Sequence, residues 1–257
     1  MINQNFFWPI YQNLEKELID LCNIIYIDDK QWDTYSIKIA NLLIRTVIEI
    51  ETISKSIYKK ANGPQKDGDL LYDGDCIAYL DKQWDLSKKI VFITFPFIYC
   101  EKKEHKILKP LSKASHGNNS WQLAYQAVKH DRHNHMVKAS IGNLIKSMAA
   151  LYLLNIYNKD EAVYIGNIYN KSNFDGSFGS SFFSTKIHDL HGLSSDGTYK
   201  KRNDFNECSC FINYDKESTT QICNLGLGFN NGHNSFREFD NAITSAKCYA
   251  FINKNQV

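Results

Sequence analysis

The sequence predicts a mainly α protein: a helical domain over residues 1–160 and a smaller, irregular, partly β portion over residues 161–257 packed on it. Three observations carry that expectation. Apolar residues recur at spacings of three and four through the first part of the chain, as helices with one buried face require. Proline is sparse, four in 257 residues with none after Pro110, so the longest periodic run meets no breaker. Beyond Lys159, glycine and serine become frequent (Gly176, Gly179, Ser180, Ser181) and the helical period fades.

The elements follow in order. Phe6, Phe7 and Trp8 cluster ahead of Pro9, and Leu14, Leu18, Leu21, Cys22 and Ile25 then mark a helix from Tyr11 to Ile25. Asp28 and Asp29 break it. A second helix spans about Gln31 to Lys60, with Ile37, Ala40, Leu43, Ile44, Val47, Ile48, Ile50 and Ile53 at helical spacing; Gly63 and Pro64 end it. Gln65 to Asp75 reads as a solvated loop. Its Asp67, Asp69, Asp73 and Asp75 fail the EF-hand spacing, because Leu71 takes the third ligand place. A short helix is expected over Cys76 to Trp84. Ile90 to Tyr99 has strand composition, with Pro96 arguing for an edge or extended segment. Lys102 to Pro110 suits a hairpin arm and Ser115 to Ser120 a loop, with Ser120 as an N-cap. Trp121 to about Tyr157 is the clearest helix, with Tyr125, Val128, Arg132, His135, Ala139, Gly142, Ile145 and Ala149 along one face. Its start, Asn118 to Lys129, can form a separate helical turn. Strand-like pieces follow at Cys208 to Tyr214 and Lys247 to Ile252.

Composition narrows the class. At 43% hydrophobic, 13% aromatic and 23% charged, the chain is neither disordered nor collagen-like. It is long enough to bury a core without a metal or disulfide staple. No apolar run approaches the roughly 20 residues that span a bilayer; Met148 to Ile156 reads as a buried helix end. Met1 to Trp8 lacks the basic and apolar regions of a secretory signal. Seven scattered cysteines suit reduced thiols in a cytoplasm. Cys208 and Cys210 form a close pair, yet no second pair completes a zinc motif, so no metal and no cofactor is expected.

The formal net charge of +2 hides a local bias. Glu101 to Ala150 carries nine Lys/Arg against three Asp/Glu, and five of the eight histidines: His105, His116, His130, His133 and His135. Lys129 to His135 packs five potential cations into seven residues. Their mutual repulsion favours an anionic partner. Arginine can fork onto phosphate and histidine can exchange a proton near neutral pH, a pairing suited to RNA cleavage by 2′-hydroxyl attack. A solvated helix start capped by Asp131 and Asn134 explains the same residues. His130 and His133 have the spacing of a helical metal pair, without an identifiable third ligand. Arg45 and Glu49, one turn apart on an apolar helix with Glu51 nearby, read as a partly buried pair or as groups orienting the basic cluster. Gly176 to Ser181 lacks the ending of a phosphate loop and reads as a turn. His188, Asp189 and His191 read as a loop group.

Two segments together resemble the HEPN superfamily of bacterial helical proteins, including abortive-infection-like members. They are Asn41 to Lys60, with Arg45, Glu49, Glu51 and Lys55, and Trp121 to Arg132 followed by a long Ala/Leu helix. The resemblance covers about residues 10–160 and implies a helical bundle, a homodimer, and a metal-independent RNase of a phage-defence or toxin–antitoxin system. The alternative it implies is a non-catalytic nucleic-acid or nucleotide-binding module. Arg132 takes the place of the family's arginine, and His133 or Asn134 its polar neighbour. The family's histidine falls at positions 137 to 139, here Val137, Lys138 and Ala139, which leaves His135 as the nearest substitute. On this resemblance Arg132, His135 and His130 are catalytic. Lys129, His133, Asn134 and Lys138 bind RNA, and Arg45, Glu49 and Tyr125 support them. An antitoxin or defence-system partner is implied and a membrane is not.

Overall fold

A computed structural model of the chain describes residues 6–113, 120–159, 162–189, 198–230 and 235–254. The expected loop at 115–119, His116 and His191 lie outside them. The described residues hold eight α-helices and seven strands in two sheets, so the chain is mixed α/β and the mainly α expectation is corrected. The strands are two to five residues long, too short for a firm period-2 signal. Three of them lie inside or return to the helical part.

The chain forms two compact units, one of residues 1–159 and 177–185, the other of 160–176 and 186–257. In the first, α1 (Phe7–Cys22) starts earlier than its period suggested, because Pro9 is tolerated in a first helical turn. It buries Tyr11, Leu14, Leu18 and Leu21. α2 (Ile37–Lys60) begins later than expected: the Ser36 hydroxyl caps it by accepting the Ile39 N–H at 3.2 Å. The Asp28 carboxylate instead turns the preceding segment, accepting the N–H groups of Lys30 and Gln31. A π-helical turn over Tyr72–Ile77 leads into α3 (Ala78–Trp84).

The expected long helix is divided. α4 (Ser120–His130) stops at Asp131, α5 (Arg132–His135) is one turn, a 3-10 turn covers Met136–Lys138, and α6 (Ile141–Asn158) restarts under a Ser140 cap. Asp131 and Ser140 offer side-chain oxygens that compete with the helical ladder. The first N–H groups of α6 find partners outside it: Ile141 donates to the Thr34 carbonyl at 2.8 Å and Gly142 to that of Trp32 at 2.9 Å. Gly142 is required there, since a Cβ would stand 2.3 Å from the Trp32 indole nitrogen. α6 is apolar on nearly every side and forms the centre of the core, with α2 packed along it. Met148 to Ile156 is buried within it.

A small sheet completes this unit: β1 (Val91–Ile93) lies between β2 (Ile107–Leu108) and β4 (Phe183–Thr185), antiparallel to both. The hairpin arm is therefore present, but β1 is central rather than an edge, and Pro96 lies beyond its end. Residues 177–185 return to this unit through a buried carboxylate. Glu15 accepts the hydroxyls of Tyr11 and Ser180 and, at 3.0 Å, the N–H of Ser181. The stretch read as a plain turn is thus an anchor on α1.

The second unit is a four-stranded sheet in the order β3 (Val163–Gly166), β7 (Cys248–Ile252), β6 (Cys210–Tyr214), β5 (Ile187–His188). Only the β5–β6 pair is parallel. Two further helices, α7 (Lys216–Asn230) and α8 (Phe236–Ser245), join β6 to β7. Ile222 and Ala242 from these helices share a core with Phe211, Ile212 and Tyr214. His188 is a core histidine rather than a loop residue: its Nε2 accepts the Arg202 N–H at 3.1 Å, and its Nδ1 lies 2.6 Å from the Tyr199 hydroxyl. Cys208 is buried and bonds the Asp204 carbonyl. No described helix is long and apolar enough to cross a membrane.

Candidate nucleic-acid interface

The basic segment lies where α4 gives way to α5. Trp121, Ala124, Tyr125 and Val128 bury one face of α4, and the Trp121 indole donates to the Pro110 carbonyl at 2.8 Å. Lys129 and His130 close the last turn, where the helix dipole favours cations. Both are exposed. The Lys129 ammonium sits 5.2 Å above the centre of the Tyr125 ring, and the Tyr125 hydroxyl donates to Glu51 Oε1 at 3.1 Å. Burial pushes the Tyr125 phenol up. The phenol oxygen beside Lys129 raises that lysine in turn, so Lys129 stays charged and Tyr125 neutral around pH 7. Tyr125 is therefore a support for Lys129.

Asp131 breaks the helix with φ −148° and ψ 77°. Its carboxylate accepts the Asn134 N–H at 3.2 Å and the Asn134 side-chain amide at 2.8 Å. Those two bonds hold the Asp131 carboxyl below its ordinary range. Asn134 therefore serves the cap. Arg132, next in the chain, is exposed and donates to Asn41 Oδ1 on α2 at 3.0 Å. His133 is exposed and His135 half-buried. Neither these two nor His130 makes a side-chain hydrogen bond among the described residues. The same three histidines join no three-ligand cluster there. Lys138 is exposed at the end of the 3-10 turn, and its carbonyl accepts the Asn143 amide at 2.9 Å.

Arg45 and Glu49 do not join this segment as sequence reasoning expected. Arg45 turns toward α1 and pairs with Glu17 at 2.7 Å, both side chains well exposed. Glu49 lines a groove of about 320 Å³ with Ile10, Asn13, Leu14, Arg45 and Ile48. Burial raises its carboxyl and the nearby Arg45 charge only partly offsets that. The supports that α2 does supply are Asn41 and Glu51. Asn41 lay inside the segment carrying the family resemblance, yet no local pattern marks a neutral amide as the partner of an arginine 91 residues away.

A second cluster escaped sequence reasoning. Asp29, Cys100 and His105 place a carboxylate oxygen, a sulfur and a ring nitrogen within 4.8 Å of one another. His105 is thus no part of a solvated basic face. Its Nδ1 lies 2.7 Å from Asp29 Oδ1, and its ring stacks on Trp32 at 4.1 Å. Asp29 also accepts the N–H groups of Glu101 and Lys102. Cys100 is fully buried, and burial with the neighbouring Asp29 pushes its thiol up to about 11. The short Cys100-to-His105 spacing was a signal available in the sequence; Asp29 was not.

Comparison with protein-family models, with curated proteins and with solved structures finds no match to this chain.

Proposed function

We propose that the protein binds RNA through the exposed segment from Lys129 to Lys138, without cleaving it. One observation carries this reading: the segment's only carboxylate, Asp131, is turned onto Asn134, while Lys129, His130, Arg132, His133 and Lys138 remain exposed. Phosphates then meet three permanent cations and two histidines with the local acid already engaged. Tyr125 and Asn41 fix two of those cations, which lowers the ordering cost of binding. On the same reading the chain is a HEPN-like, dimeric, cytoplasmic protein of a bacterial defence or toxin–antitoxin system.

Titration of labelled single-stranded RNA at several salt concentrations tests this. Three phosphate contacts give a log–log salt slope of about −2, and Lys129→Ala, Arg132→Ala and Lys138→Ala each reduce its size by about 0.7. An unchanged slope in all three variants would sink the assignment.

A second reading, metal-independent cleavage, is favoured by the single-turn helix that sets Arg132 and His135 three residues apart. It requires RNA ends bearing 2′,3′-cyclic phosphate in the presence of chelator, lost in Arg132→Ala and in His135→Ala or His130→Ala. Removing a transition-state charge contact costs about 100- to 1000-fold in rate. Tight binding with no cleavage leaves the binding module.

A further inference from the structure

We propose that Asp29, Cys100 and His105 form a binding site for a divalent transition metal of the zinc class. The proposal stands apart from the RNA-binding reading, since none of the three lies between Lys129 and Lys138. Its basis is the convergence of three different donor types from two loops, all within 4.8 Å of one another. Around tetrahedral zinc, such donors sit about 3.4–3.6 Å apart. Side-chain rotations of about an ångström therefore exchange the Asp29–His105 hydrogen bond for a shared cation.

The donor set selects the metal. Thiolate and imidazole favour zinc and cobalt over magnesium and calcium, which prefer oxygen alone. Binding requires the thiolate, so the Cys100 proton leaves to solvent as the sulfur–metal bond forms; no electrons are exchanged. His105 contributes as the neutral ring. Asp29 retains 23% side-chain exposure and His105 12%, so water reaches the edge of the cluster and can fill a fourth position.

The surroundings orient the donors. Trp32 stacks on the His105 ring with 12° between planes and fixes its rotation. The N–H groups of Glu101 and Lys102 hold the Asp29 carboxylate at 3.0 and 3.2 Å. The two loops are themselves tied, because Tyr99 donates its N–H to the Ile27 carbonyl at 2.8 Å and Ile27 pairs with Ile98. Bonds of this kind around metal ligands typically change affinity 10- to 100-fold when removed.

The full chain, stripped with chelator and dialysed, should be titrated with zinc ion alone and separately with cobalt(II) alone. The expected result is one equivalent of tightly bound zinc, a raised melting temperature, and a near-ultraviolet thiolate-to-cobalt band. Cys100→Ser should abolish that band, and His105→Gln and Asp29→Asn should each weaken zinc binding at least 10-fold. Cys223→Ser and the double variant His130→Gln, His133→Gln should bind zinc and show the cobalt band as the parent does, whatever the double variant does to RNA binding. Absence of stoichiometric zinc binding by the parent chain overturns the proposal and needs no variant to fold. So does a cobalt–thiolate band that survives Cys100→Ser, or one lost in the His130, His133 double variant.

Discussion

On α2, Arg45 forms an exposed ion pair with Glu17 of α1, and Glu49 is a half-buried carboxylate. Arg45 and Glu49 suggested a pair because they are one turn apart, yet Arg45 reaches Glu17 on α1. A pair that exposed contributes about 0.2–1 kcal/mol. A double-mutant cycle on Arg45 and Glu17 should return a coupling in that range, and one on Arg45 and Glu49 a smaller value. Glu49 itself carries a raised carboxyl, chiefly from burial. The folded state then holds its proton more tightly than the unfolded chain, so ionisation costs stability as pH climbs past the ordinary glutamate value of about 4.3. Glu49→Gln should therefore stabilise the protein at pH 7, with the gain shrinking below pH 4, as melting curves across that range will show. A gain independent of pH would assign the effect to something other than ionisation.

At the scale of elements, capping chemistry explains both the hits and the misses. The helices over 7–22 and 37–60 were legible because each keeps one apolar stripe on the 3.6 period. α6 was legible in its apolar content, but its start at Ile141 was set by Ser140 and by carbonyls of the segment before α2. The strands β6 and β7 were found from composition. α7 was missed because Gly226 and Gly228 interrupt its period, and α8 because it is only ten residues long, within a stretch read as irregular. A signal for α8 was present: Ser235 and Glu238 form a capping box, with each side chain bonded to the other's backbone N–H. Ser235→Ala should cost about 1 kcal/mol of helix stability. Denaturant melts of that variant should shift to a lower midpoint with an unchanged slope; no shift would show that tertiary packing alone holds α8.

For the whole molecule, the two units have separate cores, one around α6 and one around Phe211, Ile212 and Tyr214. Gly142→Ala tests this. Its Cβ would displace Trp32, and overpacking of that kind costs about 1–3 kcal/mol, more than the helix-propensity gain of about 1 kcal/mol. Amide exchange should accelerate in α2 and α6 and stay unchanged in α7, α8, β6 and β7. Equal acceleration in both sets would show one cooperative unit instead.

The local features are written in short stretches of the chain. Helical stretches, three of the strands (β1, β6 and β7), the absence of a long apolar span and the exposed cations from Lys129 to Lys138 all follow from windows of a few to about twenty residues. Within such windows side-chain period and capping oxygens act directly on the backbone. Tertiary structure alone decided the return of residues 177–185 to α1 through Glu15, the pairing of Arg132 with Asn41, and the meeting of Asp29 with Cys100 and His105. Each joins groups more than 70 residues apart. Such contacts form only after long loops close, and their free energy depends on what the rest of the core has already placed nearby. No local period encodes that, which is why the cations were readable from the sequence and their partners were not.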